Sequence, residues 1–257
     1  MVLLVFISGK NAHIEKHTFQ ERGKNMATAK NTEEIRIRKS EKKFAKIRIV
    51  GDSPLIVHAW SEKAKREMLE KQTGSSKTKK KWTKMPFDDF ARALYWITPM
   101  PKTTVMDESR GEMREVVTEE LFDEAINNGA KFGFPANSFK IAGNSAAYRM
   151  GWVKNQMALR GAYFITSECG ELAEIKGDAP MVREDTVTVG NGSSDLRYRP
   201  IFNNWYCELI LEVDTGYGMT MNDIINVLNA GGSGVGIGEW RPEKDGYFGR
   251  YHVELIK

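Results

Sequence analysis

Asn229-Ala-Gly-Gly-Ser-Gly-Val-Gly-Ile-Gly-Glu-Trp-Arg-Pro-Glu-Lys-Asp-Gly-Tyr-Phe-Gly-Arg250 is the stretch on which the reading of this chain turns. Glycine loses more backbone freedom on folding than any other residue, so such density marks positive φ angles or close approach of another group to the main chain. Before the run, residues 219–228 read as a short amphipathic helix. Thr220 is its N-cap, Asp223 its third residue, and Ile224, Ile225 and Leu228 share a face. Asn229-Ala-Gly supplies its expected end. After the run, Tyr247, Gly249, Tyr251, Val253 and Leu255 alternate with Phe248, Arg250, His252, Glu254 and Ile256, which is the period of a strand. The order is helix, glycine loop, closing strand. A phosphate-binding loop of a nucleotide enzyme has the reverse order, strand first and glycines opening the helix. Gly234-Val-Gly-Ile-Gly-Glu also lacks the Gly-Lys-Ser/Thr ending of such loops.

Working outward, residues 43–50 predict a first strand, with Ala45, Ile47 and Ile49 alternating with Lys46 and Arg48, ended by Pro54. Residues 61–72 read as a charged helix, 73–84 as a lysine-dense loop, and 87–96 as a helix with Phe87, Phe90 and Leu94 on one face. Residues 98–116 read as irregular. An acidic helix follows over 118–128, ending at Gly129. Candidate strands occupy 159–167, 171–176, 183–189 and 205–213, the last alternating Trp205, Cys207, Leu209, Leu211 and Val213 with polar residues. The pattern predicts an α+β fold with an antiparallel sheet backed by helices.

Two further segments sharpen that expectation. Ile47-Arg-Ile-Val-Gly-Asp-Ser-Pro-Leu-Ile-Val-His58 is a strand leaving through a Ser-Pro-Leu turn, and Phe132-Gly-Phe-Pro-Ala-Asn-Ser-Phe-Lys-Ile-Ala-Gly-Asn-Ser-Ala-Ala-Tyr-Arg149 is a short strand turning into a helix. Together with the glycine run, and in this chain order, they resemble the RAMP superfamily, the RNA-binding proteins of CRISPR effector complexes. The chain departs from that pattern at Ala136-Asn137, where the family has Gly-Ser, and in the Ile-Ala that separates Lys140 from Gly143. Trp240-Arg-Pro-Glu-Lys and Val182-Arg-Glu-Asp resemble phage-encoded proteins more than the named CRISPR subunits, which implies a phage-type member. The resemblance implies a ferredoxin-like (RRM-like) core over 34–257, a sizeable insertion at about 60–129, and the glycine-rich loop before the last strand. Residues 1–33 read as a disordered or artefactual leader, with Met26 as a natural start.

The 257 residues carry 41% hydrophobic content, enough for a core, and a net charge of only +4, so any case for nucleic acid rests on local charge. Cys169 and Cys207 have no partner at metal-ligand spacing, which favours a reducing, cytoplasmic setting without metal or cofactor. No segment has the length and apolarity of a membrane span.

The candidate contacts with nucleic acid follow. Lys77, Lys79, Lys80 and Lys81 surround Trp82 in a loop suited to phosphates and a stacked base. Ser138, Lys140, Asn144 and Arg149 lie on or near the helix that, in the resembled family, faces the RNA backbone. Gly234, Gly236 and Gly238 offer backbone N–H groups, with Trp240 and Arg241 beside them and Arg250 on the closing strand. Arg197-Tyr-Arg199 is a further basic-aromatic patch. Some members of the family cut RNA with a histidine or an inserted-loop aspartate, which makes His58, Asp107 and His252 candidates for chemistry, His58 foremost. The expected function is non-catalytic binding of single-stranded RNA or DNA, as a homo-oligomer or a subunit of a larger assembly. The alternatives are an endoribonuclease of the same fold and a phage structural or counter-defence protein acting through protein contacts.

Overall fold

The computed structural model describes residues 39–60, Lys65, Met68, Leu69, Gln72 and Thr73, 82–190 and 192–256. The leader, the expected helix over 61–72 for the most part, and Lys77, Lys79, Lys80 and Lys81 lie outside the described residues.

Twelve strands and four α-helices follow one another among the described residues. After β1 (Lys42–Gly51) and β2 (Leu55–Ile56) come α1 (Pro86–Arg92), β3 (Tyr95–Trp96), β4 (Thr103–Asp107), β5 (Glu112–Val116) and α2 (Glu119–Asn127). β6 (Phe132–Pro135), α3 (Asn137–Arg149), β7 (Tyr163–Thr166), β8 (Leu172–Gly177), β9 (Met181–Val189) and β10 (Ser193–Phe202) form the middle. β11 (Trp205–Asp214), α4 (Met221–Gly234) and β12 (Tyr251–Leu255) close the chain. The principal sheet has seven strands in the order β12-β1-β11-β8-β6-β3, with β7 also on β11, and every recorded pairing is antiparallel. The α+β expectation with an antiparallel sheet and helices is met.

Period-two alternation determines which face of this sheet is covered. Ile47 pairs with Leu209 and Ile49 with Cys207, all buried, while Lys46, Arg48 and Glu208 point the other way. On that open face Glu208 accepts from Arg48 and Lys176 at 2.8 Å each, and these two cations hold its carboxyl down at about 2. The covered face takes α3 and α4. Phe139 of α3 packs edge-on against Tyr251 of β12, and Ile224 and Leu228 of α4 are fully buried. The two helices approach closely: a Cβ on Gly231 would fall 2.6 Å from the Gly143 nitrogen.

Several boundaries differ from expectation for identifiable reasons. α4 starts at the predicted capping box, with Thr220 Oγ1 accepting from the Asp223 N–H and Asp223 reaching back to the Thr220 N–H at 2.8 Å. It runs on past Asn229-Ala-Gly to Gly234, because Gly231 and Gly232 lie within the helix where it meets α3 and β12. Asn229, expected as a cap, instead accepts from the Val253 N–H on β12 at 2.8 Å. The closing strand is shorter than its pattern and begins at Tyr251, so Arg250 lies before it. The predicted helix over 87–96 stops at Arg92 and yields to β3. Residues 98–116, read as irregular, contain the β4–β5 hairpin, in which Met106 faces Met113. α2 matches its expectation, capped by Thr118 and ended at Gly129 with φ 82°. Its Phe122 joins Phe87, Phe90, Trp96 and Phe132 in an aromatic cluster that fixes α1 and α2 onto β3 and β6.

Candidate nucleic-acid interface

The glycine loop over 235–250 is built by docking onto the turn that leaves β1. Gly249 N–H donates to the Pro54 carbonyl at 2.8 Å, Glu239 N–H to that of Ile56 at 3.0 Å, and Arg250 N–H to Ser53 Oγ at 3.0 Å. Gly236, Gly238 and Gly249 have φ angles of 69°, 75° and 64°. A Cβ on Gly238 would stand 2.4 Å from the Ile56 carbonyl oxygen, so this contact admits no side chain. The third sequence motif joins through Arg149, at the end of α3, which pairs with Glu243 in the loop. All three segments that were far apart in sequence therefore meet at one place.

Much of the loop backbone is used internally. The N–H groups of Val235 and Gly236 both donate to the Gly231 carbonyl, and Ile237 N–H donates to that of Gly249. Gly234 belongs to the last turn of α4 and has open space around it. Gly236, Gly238 and Gly249 serve close packing, and the chemistry of the junction lies in its side chains.

Those side chains form two neighbouring groups of ion pairs. Glu239 stands 3.6 Å from His58 Nδ1 and 3.8 Å from Arg199 Nη2. Arg199 also reaches Asp185 at 3.3 Å, and Asp185 accepts from Arg183 Nε at 2.8 Å. Arg183 lies 5.0 Å over the ring of Phe248. Glu243 binds Arg241 through two nitrogens, at 3.1 and 2.7 Å, while Arg241 also donates to the Gly238 carbonyl at 3.0 Å. His58 chiefly holds the Glu239 carboxyl below its usual range, and Arg241 does so for Glu243. Four guanidiniums, on Arg149, Arg183, Arg199 and Arg241, thus share three carboxylates. The exposed Lys244 and Arg250 and the half-exposed Arg197 flank them.

Two aromatic groups face outward from the same loop. Trp240 is 46% exposed and holds a left-handed backbone, φ 53°, a conformation that bulky residues adopt only at a cost. Tyr247 is 65% exposed and stacks on Phe248 with centroids 4.3 Å apart. Beside the loop, a cavity of about 150 Å³ is lined by His58, Lys84, Asp89, Asp195, Arg197 and Tyr198 among others. Lys84 closes one side by bonding Asp195 and the Leu196 carbonyl.

Other candidates have structural partners. Asn144 is buried and accepts from the Tyr163 hydroxyl at 2.9 Å. Arg199 is buried too, with its Nη atoms directed at Asp185 and Glu239, so it orders the network and is closed to direct phosphate contact. Lys140 donates to the Arg160 carbonyl at 2.7 Å and lies 4.0 Å over the Phe164 ring, and burial lowers its pKa. Ser138 is half-exposed on the same helix. Trp82 packs 4.1 Å beneath the Arg110 guanidinium, which occupies a face that a base would need. Asp107 accepts from Thr83 and Ser109, and these hydrogen bonds hold its carboxyl down to about 2, which fits a hairpin anchor and not a general base. His252 lies on the open face with Asp52 at 2.6 Å.

Glu239, Glu243, Arg183, Asp185 and Tyr247 were missed as members of the site. The Gly-Glu-Trp-Arg-Pro-Glu spacing places both glutamates beside Arg241, and the period of β9 places Arg183 and Asp185 on one face, which is the signal that could have found them. No His, Cys, Asp or Glu cluster among the described residues is arranged to hold a metal ion, and no helix among them is long and apolar enough to cross a membrane. Compared against protein-family models and against curated proteins, the chain matches none.

Proposed function

We propose that the protein is a non-catalytic, RAMP-like binder of single-stranded RNA or DNA on a ferredoxin-like core, with the glycine-loop junction as its contact surface. The core reading is supported by the sequence of crossovers. β12, β1, β11 and β7 are successive antiparallel neighbours, α3 lies in the connection from β1 to β7, and α4 in that from β11 to β12. The observation that carries the function is the outward-facing Trp240, held at positive φ on a loop whose ion pairs set four arginines against three carboxylates and whose rim is Arg197, Lys244 and Arg250. Such a surface offers a base a stacking face and offers phosphates charge without reading sequence. Fluorescence anisotropy with labelled single-stranded RNA and DNA tests it. Binding should weaken as salt rises, and Trp240→Ala should reduce affinity by roughly tenfold, since a stacked base contributes about 1–3 kcal/mol.

His58 facing Glu239 at the cavity favours a second reading, a metal-independent endoribonuclease with His58 as general base. It requires RNA cleavage that His58→Ala abolishes while binding persists; intact RNA after prolonged incubation rejects it.

A further inference from the structure

Residues 125–167 contain no aspartate or glutamate, and within them 148–160 lead from the end of α3 toward β7. Both ends of this connection are fixed. At the first, Gly151 turns left-handed at φ 72°, its N–H donates to the Tyr148 carbonyl at 3.0 Å, and the Trp152 N–H reaches back to that of Ala147 at 3.0 Å. At the second, a 3-10 turn over Gln156–Leu159 is capped by the Asn155 side chain on the Ala158 N–H and anchored by the fully buried Leu159. Between the anchors every residue from Tyr148 to Ala158 except Val153 is exposed. Tyr148, Met150, Trp152 and Met157 are 50%, 54%, 53% and 66% exposed, in company with the exposed cations Lys154 and Arg160. Tyr217, 53% exposed, adjoins from the turn after β11, since a Cβ on Gly161 would fall 2.1 Å from its hydroxyl. Two acids approach from other elements and are already engaged. Glu243, which meets Arg149, is also held by Arg241, and Asp214, whose N–H donates to the Ala162 carbonyl, turns its carboxylate to Ser40 and the Gly216 N–H.

The cap and the turn fix the backbone, so the fold itself presents these apolar groups to water, which marks an interaction surface. The side chains define the partner. Tryptophan and tyrosine, apolar in body and polar at one tip, suit a boundary between water and lipid. The methionines match an apolar medium and give a nucleobase no ring to stack on. Exposed cations in an acid-free stretch complement anionic headgroups. A connection that stands out between two anchors is a ridge, and it offers a partner helix no groove. We propose that residues 148–160 form a peripheral membrane-contact site for an anionic lipid surface, with Trp152 and the neighbouring methionines entering the headgroup boundary and Lys154 and Arg160 meeting the lipid's negative charge. The contact requires no spanning helix, uses none of Trp240, Lys244 and Arg250, and stands whether or not the chain binds oligonucleotides.

Co-sedimentation of nuclease-treated protein with vesicles tests it, using phosphatidylcholine alone and phosphatidylcholine mixed with phosphatidylserine. Three double variants run beside the wild type. Trp152→Ser with Met157→Ser removes apolar groups, Lys154→Glu with Arg160→Glu reverses the cations, and Lys244→Glu with Arg250→Glu alters the glycine-loop rim instead. These positions are all exposed, so the variants should melt with the wild type. The wild type should sediment with the anionic vesicles, at least about tenfold more strongly than with the neutral ones, and less as salt rises. The first two variants should each bind the anionic vesicles at least about tenfold more weakly, and the third as the wild type does. A wild type that stays in solution with anionic vesicles at low salt overturns the proposal, as does binding that the first two variants leave unchanged or that the third abolishes. Loss of oligonucleotide binding by the Lys154→Glu, Arg160→Glu variant, with no vesicle binding by the wild type, would assign the ridge to nucleic acid and also overturn it.

Discussion

Trp240 is the residue whose conformation and exposure point to the same conclusion. A bulky side chain at positive φ costs about 1–3 kcal/mol and persists where the surroundings over-determine it. Its own carbonyl accepts from the Phe248 N–H at 3.1 Å, and a Cβ on Gly246 would lie 1.7 Å from that same oxygen. Trp240→Gly therefore should leave thermal stability within about 1 kcal/mol of wild type, because glycine removes the strain that tryptophan carries. The same change should weaken strand binding, which would separate folding from function at one position. Asp107 behaves oppositely. Asp107→Ala leaves the amide and hydroxyl donors of Thr83 and Ser109 without their acceptor and Arg114 without its counter-charge, so its urea unfolding midpoint should fall clearly below that of the wild type. His252 is raised above 6.5, chiefly by its hydrogen bond to Asp52. A raised histidine contributes its full stabilisation below the unfolded value and loses it as pH climbs through the folded one. His252→Ala should accordingly remove a decline in stability that the wild type shows on passing upward from pH 6.5.

At the scale of elements, the glycines divide by what a side chain would meet. Gly231→Ala drives a methyl group into the Gly143 backbone and should part α3 from α4, at a cost of about 1–3 kcal/mol. Gly234→Ala meets nothing within 4 Å and should be neutral or slightly stabilising, as alanine is the better helix former. Comparing the two melting temperatures checks whether these glycines exist for packing. The sequence announced the glycine run and left its purpose open, since chain order does not show what lies against a helix. Periodicity was enough for β1, β11 and α2, whose apolar residues repeat on one face and whose caps are local. The β4–β5 hairpin escaped because its Thr-Thr-Val start was outweighed by mixed charges, whose partners Asp107 and Arg114 become visible only once the strands pair. The site was legible in part. Arg149 was marked by the family resemblance, and Arg241 and the glycines by type and spacing, whereas Glu239, Asp185 and Arg183 take their places from elements brought together from across the chain. Trp82 and Asn144 show the reverse error, since polarity or an aromatic ring in a basic segment says nothing about the partner that already occupies it.

For the whole molecule, the sheet acts as a platform whose covered face holds α3 and α4 at a fixed close crossing, and whose β1 exit turn receives the glycine loop. Rigid elements therefore present the arginine network and Trp240. On the open face Arg48 and Lys176 pair with Glu208 and Lys42 with Glu212, so these side chains already have partners. The most direct measurement is an anisotropy titration of labelled single-stranded RNA and DNA across a series of salt concentrations, with wild type, Trp240→Ala and the double change Lys244→Glu, Arg250→Glu in parallel. The account predicts a negative slope of log affinity against log salt that becomes shallower by about 2 for the double variant, one unit for each lost phosphate contact, and weaker binding at every salt for Trp240→Ala. Binding to both strands that neither variant alters, or no binding at low salt, would contradict it.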